Sequence, residues 1–203
     1  MLVERYSLTI PLMHKITFDI ETKNFFQDVG SNDPADLDIS VVCIHDSADD
    51  QYKSFLETEF NKLWPILEQA DILITWNGDH FDIPLLNKCY PGDLNNIKSI
   101  DLMKEVQKSL GRRLKLDSVA EATLGIGKTG LGSDAMILWR NGEIDKLISY
   151  CINDVKLTKE LYDYATSNGF LKFKDAGVPK QVKLDTANWE TPESAAMTFT
   201  LPF

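Results

Sequence analysis

The segment His14–Glu21 (H-K-I-T-F-D-I-E) alternates polar and apolar residues and ends in acid, which predicts a strand running into a sheet. Residues 24–38 are rich in Asn, Asp, Gly and Pro and form a connection. Ile39–His45 (I-S-V-V-C-I-H) is β-branched and apolar, a second strand, and Gln51–Phe55 is a short third strand after a turn at 47–50. From Ser54 to Ala70 the residues Phe55, Leu56, Phe60, Leu63, Trp64 and Leu67 recur at helical spacing, with Pro65 placed to kink the helix. Asp71–Trp76 (D-I-L-I-T-W) is a buried strand that stops at the turn dipeptide Asn77-Gly78. A helix is expected to start within Phe81–Cys89, and others over Met103–Leu110, Leu116–Leu124 and Ile144–Ser167. An extended segment falls at Ile97–Leu102 and a glycine-rich loop at Gly125–Gly132. Two hairpin-linked strands, a helix, a buried strand and then mostly helices predict an α/β fold around a mixed sheet.

The chain has 203 residues, 43% of them hydrophobic, enough for one sizeable core. The expected organisation is an N-terminal extension over residues 1–12, one domain over 13–170 and a C-terminal tail over 171–203. From Val178 onward that tail has three prolines and little periodicity, as an arm or a mobile end would. No apolar run approaches the roughly 20 residues of a membrane span, and no signal peptide is visible. Cys43, Cys89 and Cys151 are odd in number and lack ligand-like spacing, so a reduced, intracellular, cytoplasmic protein is expected. The net charge of −10 argues against a nucleic-acid binder of the usual basic kind. It leaves a nuclease possible, because clustered site carboxylates contribute to it and divalent cations cancel them locally. Short ends, or delivery by a partner, suit such a chain better than long nucleic acid.

Three acidic blocks stand out. Asp19 and Glu21 are two apart on the first strand and share a face. Beside Ile16, Phe18 and Ile20 they are costly unless paired or metal-bound; a solvent-facing edge strand is the other explanation. Asp82 follows the Asn77-Gly78 turn where a helix begins, and an N-cap explains it equally well. Asp79 is its rival, nearer the turn. Tyr150 and Asp154 are four apart on a helix and stack on one face, although a core Tyr beside a surface Asp is common.

The order F-D-I-E-T, N-G-x-x-F-D-x-P-L-L, Y-x-x-x-D resembles the DEDDy branch of the DnaQ-like 3′–5′ exonucleases, which includes the proofreading domains of family B DNA polymerases. The likeness is nearest to stand-alone exonuclease domains of the YprB type. It extends to S-I-D-L-M, L-G-I-G and W-x-N-G-x-x-D-K-L-I-S-Y-C-I-N-D-V, and covers about residues 14–167. It implies a ribonuclease-H-like mixed five-stranded sheet flanked by helices. It also implies a metal-dependent 3′–5′ exonuclease with Asp19, Glu21, Asp82 and Asp154 as ligands and Tyr150 positioning the attacking water. Oxygen ligands suit two Mg²⁺ or Mn²⁺ ions. On this scheme Asp19 bridges both ions, Glu21 and Asp154 complete the hydroxide-generating one, and Asp82 serves the leaving-group ion.

The expected substrate is a single-stranded DNA or RNA 3′ end. Arg112, Arg113 and Lys115 form the only basic cluster, and Arg112 and Arg113 are candidate phosphate contacts. Phe81 and Trp139 adjoin motifs and are candidates to stack on a base; Trp76 belongs to a buried strand. Lys128 lies in G-I-G-K-T-G-L-G, which is not a phosphate-binding loop because Ala122 replaces the required Gly and a helical segment precedes it. Lys128 remains a candidate phosphate contact. Two alternatives stand beside the exonuclease: a non-catalytic module docking on a replication or repair protein, and an endonuclease of the same superfamily.

Overall fold

The computed structural model describes residues 13–126 and 132–191. The N-terminal extension, Lys128 and the last twelve residues lie outside the described residues. The elements in chain order are β1 (Lys15–Thr22), α1 (Phe26–Val29), β2 (Ile39–Asp46), β3 (Gln51–Leu56), α2 (Phe60–Leu67), β4 (Ile72–Thr75), α3 (Asp82–Asn87), β5 (Lys98–Asp101), α4 (Leu102–Leu110), α5 (Leu116–Leu124), α6 (Gly132–Arg140), α7 (Ile144–Asn168), β6 (Phe170–Asp175) and β7 (Val178–Lys183).

Five strands form one mixed sheet in the order β3-β2-β1-β4-β5. β1 pairs antiparallel with β2 and parallel with β4; β2–β3 is antiparallel and β4–β5 parallel. The sheet is the ribonuclease-H-like one expected from the sequence. Its two faces follow from the alternation in β1. Ile16, Phe18 and Ile20 join Val42, Ile44, Leu63, Leu67, Leu85 and Leu86 in one core under α2 and α3. On the other face Val41 and Cys43 of β2 meet Ala135 of α6 and Leu147, Cys151 and Val155 of α7. The odd-numbered acids of β1 therefore face the side that α7 covers.

The structure departs from the sequence pattern in several places, including the short α1 within the 24–38 connection. β3 continues to Leu56 because Phe55 and Leu56 pair with Val42 and Val41, so α2 starts only at Phe60, after a single turn of 3₁₀ helix at 57–59. α6 was not foreseen. The segment from 171 opens as the second residue of a hairpin: Leu171, Phe173, Val182 and Leu184 are buried in the core that α5 and α7 share with β4 and β5. Beyond it Trp189 is buried and stacks on Tyr162 with centroids 5.5 Å apart. No described helix is long and apolar enough to cross a membrane.

Candidate functional site

Asp19 and Glu21 stand on the C-terminal half of β1, where β4 no longer pairs with it; the β1–β4 ladder runs only from Lys15 to Thr17. α7 crosses this face and brings Asp154 to them. Asp19, Glu21 and Asp154 each offer a carboxylate oxygen, and these oxygens lie within 4.8 Å of one another. All three are half-buried. One turn before Asp154 on the same helix stands Tyr150, near enough for its hydroxyl to lower the Asp154 carboxyl.

Asp82 is not one of the three acids whose oxygens converge; it meets β1 between Asp19 and Glu21, through the backbone. It is 4% exposed, and its Oδ1 accepts the Ile20 N–H at 3.0 Å, from the residue between Asp19 and Glu21. That N–H is available because β4 has diverged. Asp82 is the first residue of α3, one position past the N-cap, so the capping explanation does not account for its side chain. Its rival Asp79 is tied elsewhere, to the Ser99 hydroxyl at 2.6 Å and Lys104 Nζ at 2.5 Å.

The electrostatics of these acids run one way. Burial raises the Asp19 carboxyl well above its ordinary value, and the nearby Asp82, Glu21 and Asp154 raise it further. Glu21 is raised by burial and then by Asp154 and Asp82. Asp82 is pushed up to about 7 by burial, against the opposing hydrogen bonds from its own N–H and that of Ile20. Asp154 is pushed up to about 6 by burial and by Asp117, although Asn153 and Tyr150 lower it. Burial and then Asp154 raise the Tyr150 phenol, which stays a donor at any neutral pH. Crowded, half-buried oxygens that gain no cationic partner among the described residues match the donor set of a hard divalent cation.

Two cysteines lie behind the acids. Cys43 is the β2 partner of Asp19, and Cys151 Sγ is 3.5 Å from the Asp19 carbonyl oxygen and 3.6 Å from its Oδ2. They are buried and pack the acids from behind. The loop after β1 is pinned to the end of α6 by Arg140–Asp28 at 2.7 Å, by Arg140 over the Phe25 ring and by Lys23 over the Trp139 ring.

The candidate nucleic-acid contacts scatter. Phe81 packs edge-on against Phe26 at 6.2 Å, within the core under α3. Arg112 is committed to the hairpin, bonded to Asp175 at 3.1 Å and stacked over Phe173. Arg113 is exposed and, with Asn77, His80, Lys104 and Gln107, lines a depression of about 300 Å³ next to Asp101. Asp101 lies in the S-I-D-L-M segment of the family resemblance, which assigns it no role. It is 3% exposed and accepts three backbone N–H groups. Its signal was an Asp at the junction of a short strand and a helix, the usual place for an N-cap.

A family model described as RNase H superfamily matches residues 16–166. Among solved structures the chain is similar to the family B DNA polymerase from the hyperthermophilic archaeon Pyrobaculum calidifontis, at 19% identity and a TM-score of 0.59. That alignment covers 76% of this chain and 25% of the polymerase, so the chain spans about a quarter of the length of the protein it matches. A comparison with curated proteins gives no match. The family match runs from β1 through Asp154 and contains the five-stranded sheet and every acid of the cluster: this chain belongs to the RNase H superfamily.

Proposed function

We propose that this protein is a divalent-metal-dependent nuclease that removes nucleotides from single-stranded DNA or RNA 3′ ends. The observation that carries it is the close set of Asp19, Glu21 and Asp154 oxygens, with Tyr150 one turn before Asp154 on α7. Membership of the RNase H superfamily supports a nuclease-type function. Mg²⁺ or Mn²⁺, two ions when the site is loaded, supply charge neutralisation and Lewis-acid chemistry at the scissile phosphate.

The chain's own residues set the rest. Asp19, close to Glu21 and Asp154 and within electrostatic reach of Asp82, would serve both ions. Glu21 and Asp154 would hold one of them. Asp82 would serve the other. Tyr150, one turn before Asp154, presents its hydroxyl to the attacking water and fixes its direction. Arg113 contacts a backbone phosphate of the incoming strand, and the exposed position of Lys115 suits a similar role. The acidic surface repels long nucleic acid, which favours short ends or delivery by a partner.

A labelled single-stranded oligonucleotide, as DNA and as RNA, tests this with Mg²⁺, Mn²⁺ and chelator. Metal-dependent release of mononucleotides from the 3′ end is expected, with a circular single strand left intact. Cleavage of the circle moves the protein to the endonucleases. No cleavage of any substrate with either metal overturns the enzymatic reading and leaves a docking module.

A further inference from the structure

Asp101 ends β5 beside Thr75, the last residue of β4. Its oxygens receive three backbone N–H groups from two separate segments. Oδ1 takes those of Asn77 at 2.8 Å and Lys104 at 3.1 Å, and Oδ2 takes that of Asp79 at 3.2 Å. The Lys104 contact is the ordinary N-cap of α4. The other two belong to the turn between β4 and α3 and are not needed for capping.

That turn has little freedom. Asn77 has φ 74°, in the left-handed region, and at Gly78 a Cβ would lie 2.4 Å from the Thr75 hydroxyl. Its carbonyls launch α3: the Asn77 oxygen accepts from His80 and Phe81, and the Gly78 oxygen accepts from Ile83 at 2.9 Å. Asp82 is the next residue after Phe81, and its carboxylate holds the Ile20 N–H between the two β1 acids. A continuous run of hydrogen bonds therefore links Asp101, the 77–79 turn, the start of α3 and the middle of the acidic cluster.

We propose that Asp101 is a positioning residue of the site: it fixes the 77–79 turn so that Asp82 stays against β1, and so sets the affinity of the ion that Asp82 serves. The ion held by Glu21 and Asp154 on the α7 side is independent of it. A residue that only capped α4 would need the Lys104 contact alone and would leave both ions untouched. This inference rests on the two-ion function proposed above.

Mn²⁺ titration by electron paramagnetic resonance and calorimetry separates these roles, run on wild-type protein, D101A and D101N alongside thermal melts. Wild type should take up two ions. In D101A one site should keep its affinity and the other should weaken by about 10–100-fold, as removal of an outer support typically does. D101N keeps one carbonyl oxygen and loses the acceptor facing Asp79, so the same site should weaken by less. If D101A does not fold, D101N carries the comparison. Two wild-type sites with both affinities unchanged in the variant, or both reduced alike, overturn the proposal alone. Wild-type protein that binds no Mn²⁺ overturns the two-ion function and this inference with it.

Discussion

Asp46 and Asp82 are similarly hidden from solvent, at 5% and 4% exposure; Asp46 ends β2 beside Ile16, and Asp82 opens α3 against Ile20. Asp46 is held at about 2 although burial alone would raise it, because Lys53, the Ala48 N–H and His14 all donate to it. Lys53 Nζ and His14 Nε2 each lie 2.7 Å away. Asp82 is pushed up to about 7 by burial, with Asp101 raising it further, against the backbone N–H groups of its own residue and of Ile20. Burial is the largest influence on both carboxylates and weighs more heavily on Asp82; at Asp46 the donors outweigh it and at Asp82 they do not. At Asp46 the protein provides the cations. At Asp82 it provides acids and leaves the positive charge to come from outside.

The sharpest way to break this contrast is to remove an acid at each place. Asp19→Ala or Asp154→Ala should reduce metal-dependent cleavage by at least about 10³-fold, or about 4 kcal/mol in the barrier, with the melting temperature of the metal-free protein unchanged or higher. Cleavage at the wild-type rate in either variant removes the acids from the chemistry. Asp46→Ala should do the reverse. It leaves Lys53 with Asp49 alone and takes the partner from His14 Nε2, and should cost about 1–3 kcal/mol in denaturant unfolding, while cleavage per folded molecule is retained. Tyr150→Phe should slow single-turnover cleavage by about 10–100-fold with Mn²⁺ binding intact.

The smallest effect is on pH dependence, and its sign differs between the two places. Asp82 and Asp154 titrate near 7 and 6 in the folded protein and near 4 when unfolded. Below about pH 4 they are protonated in both states and cost nothing. Between about pH 4 and 7 the unfolded chain has released protons that the folded site retains, so stability falls as pH rises. Melting curves of metal-free protein should therefore drop across that window, Asp82→Asn should flatten the drop, and Mn²⁺ should reverse it at pH 7.5. Asp46 contributes stability above about pH 4 that is lost as pH falls through 2. A metal-free melting temperature that climbs between pH 5 and 7 would contradict the uncompensated site.

The legibility of these features in the sequence tracked how local they were. β1, β2, β4 and α5 were readable because each carries a clean period over its own residues. The start of α2 was misplaced because Phe55 and Leu56 fit a helical repeat and a strand equally; only their pairing with β2 decides. The β6–β7 hairpin was missed because lysines fill its outer face and Pro179 breaks the second strand's signal, while Leu171, Phe173 and Val182 are too few to show a period alone. In the site, Asp19 and Glu21 declared themselves by sitting on an apolar strand. Asp82 needed the three-dimensional divergence of β4 from β1 to distinguish it from a cap. Asp101 could not be found by spacing, since its partners lie 22 and 24 residues away and are backbone groups that any residue supplies.

The stacked Tyr162 and Trp189 have a practical consequence for anyone expressing this protein. The family match stops at residue 166, yet Leu171, Phe173, Val182, Leu184 and Trp189 fill the core on the α7 side, and Lys15 at the start of β1 reaches Glu190 at 2.6 Å. The smallest piece that folds is therefore longer than the piece that carries the signature. A fragment trimmed to the matched region would expose a row of apolar side chains on α5 and α7 and offer them to other copies of itself. A fragment that keeps the hairpin, Trp189 and Glu190 retains these contacts.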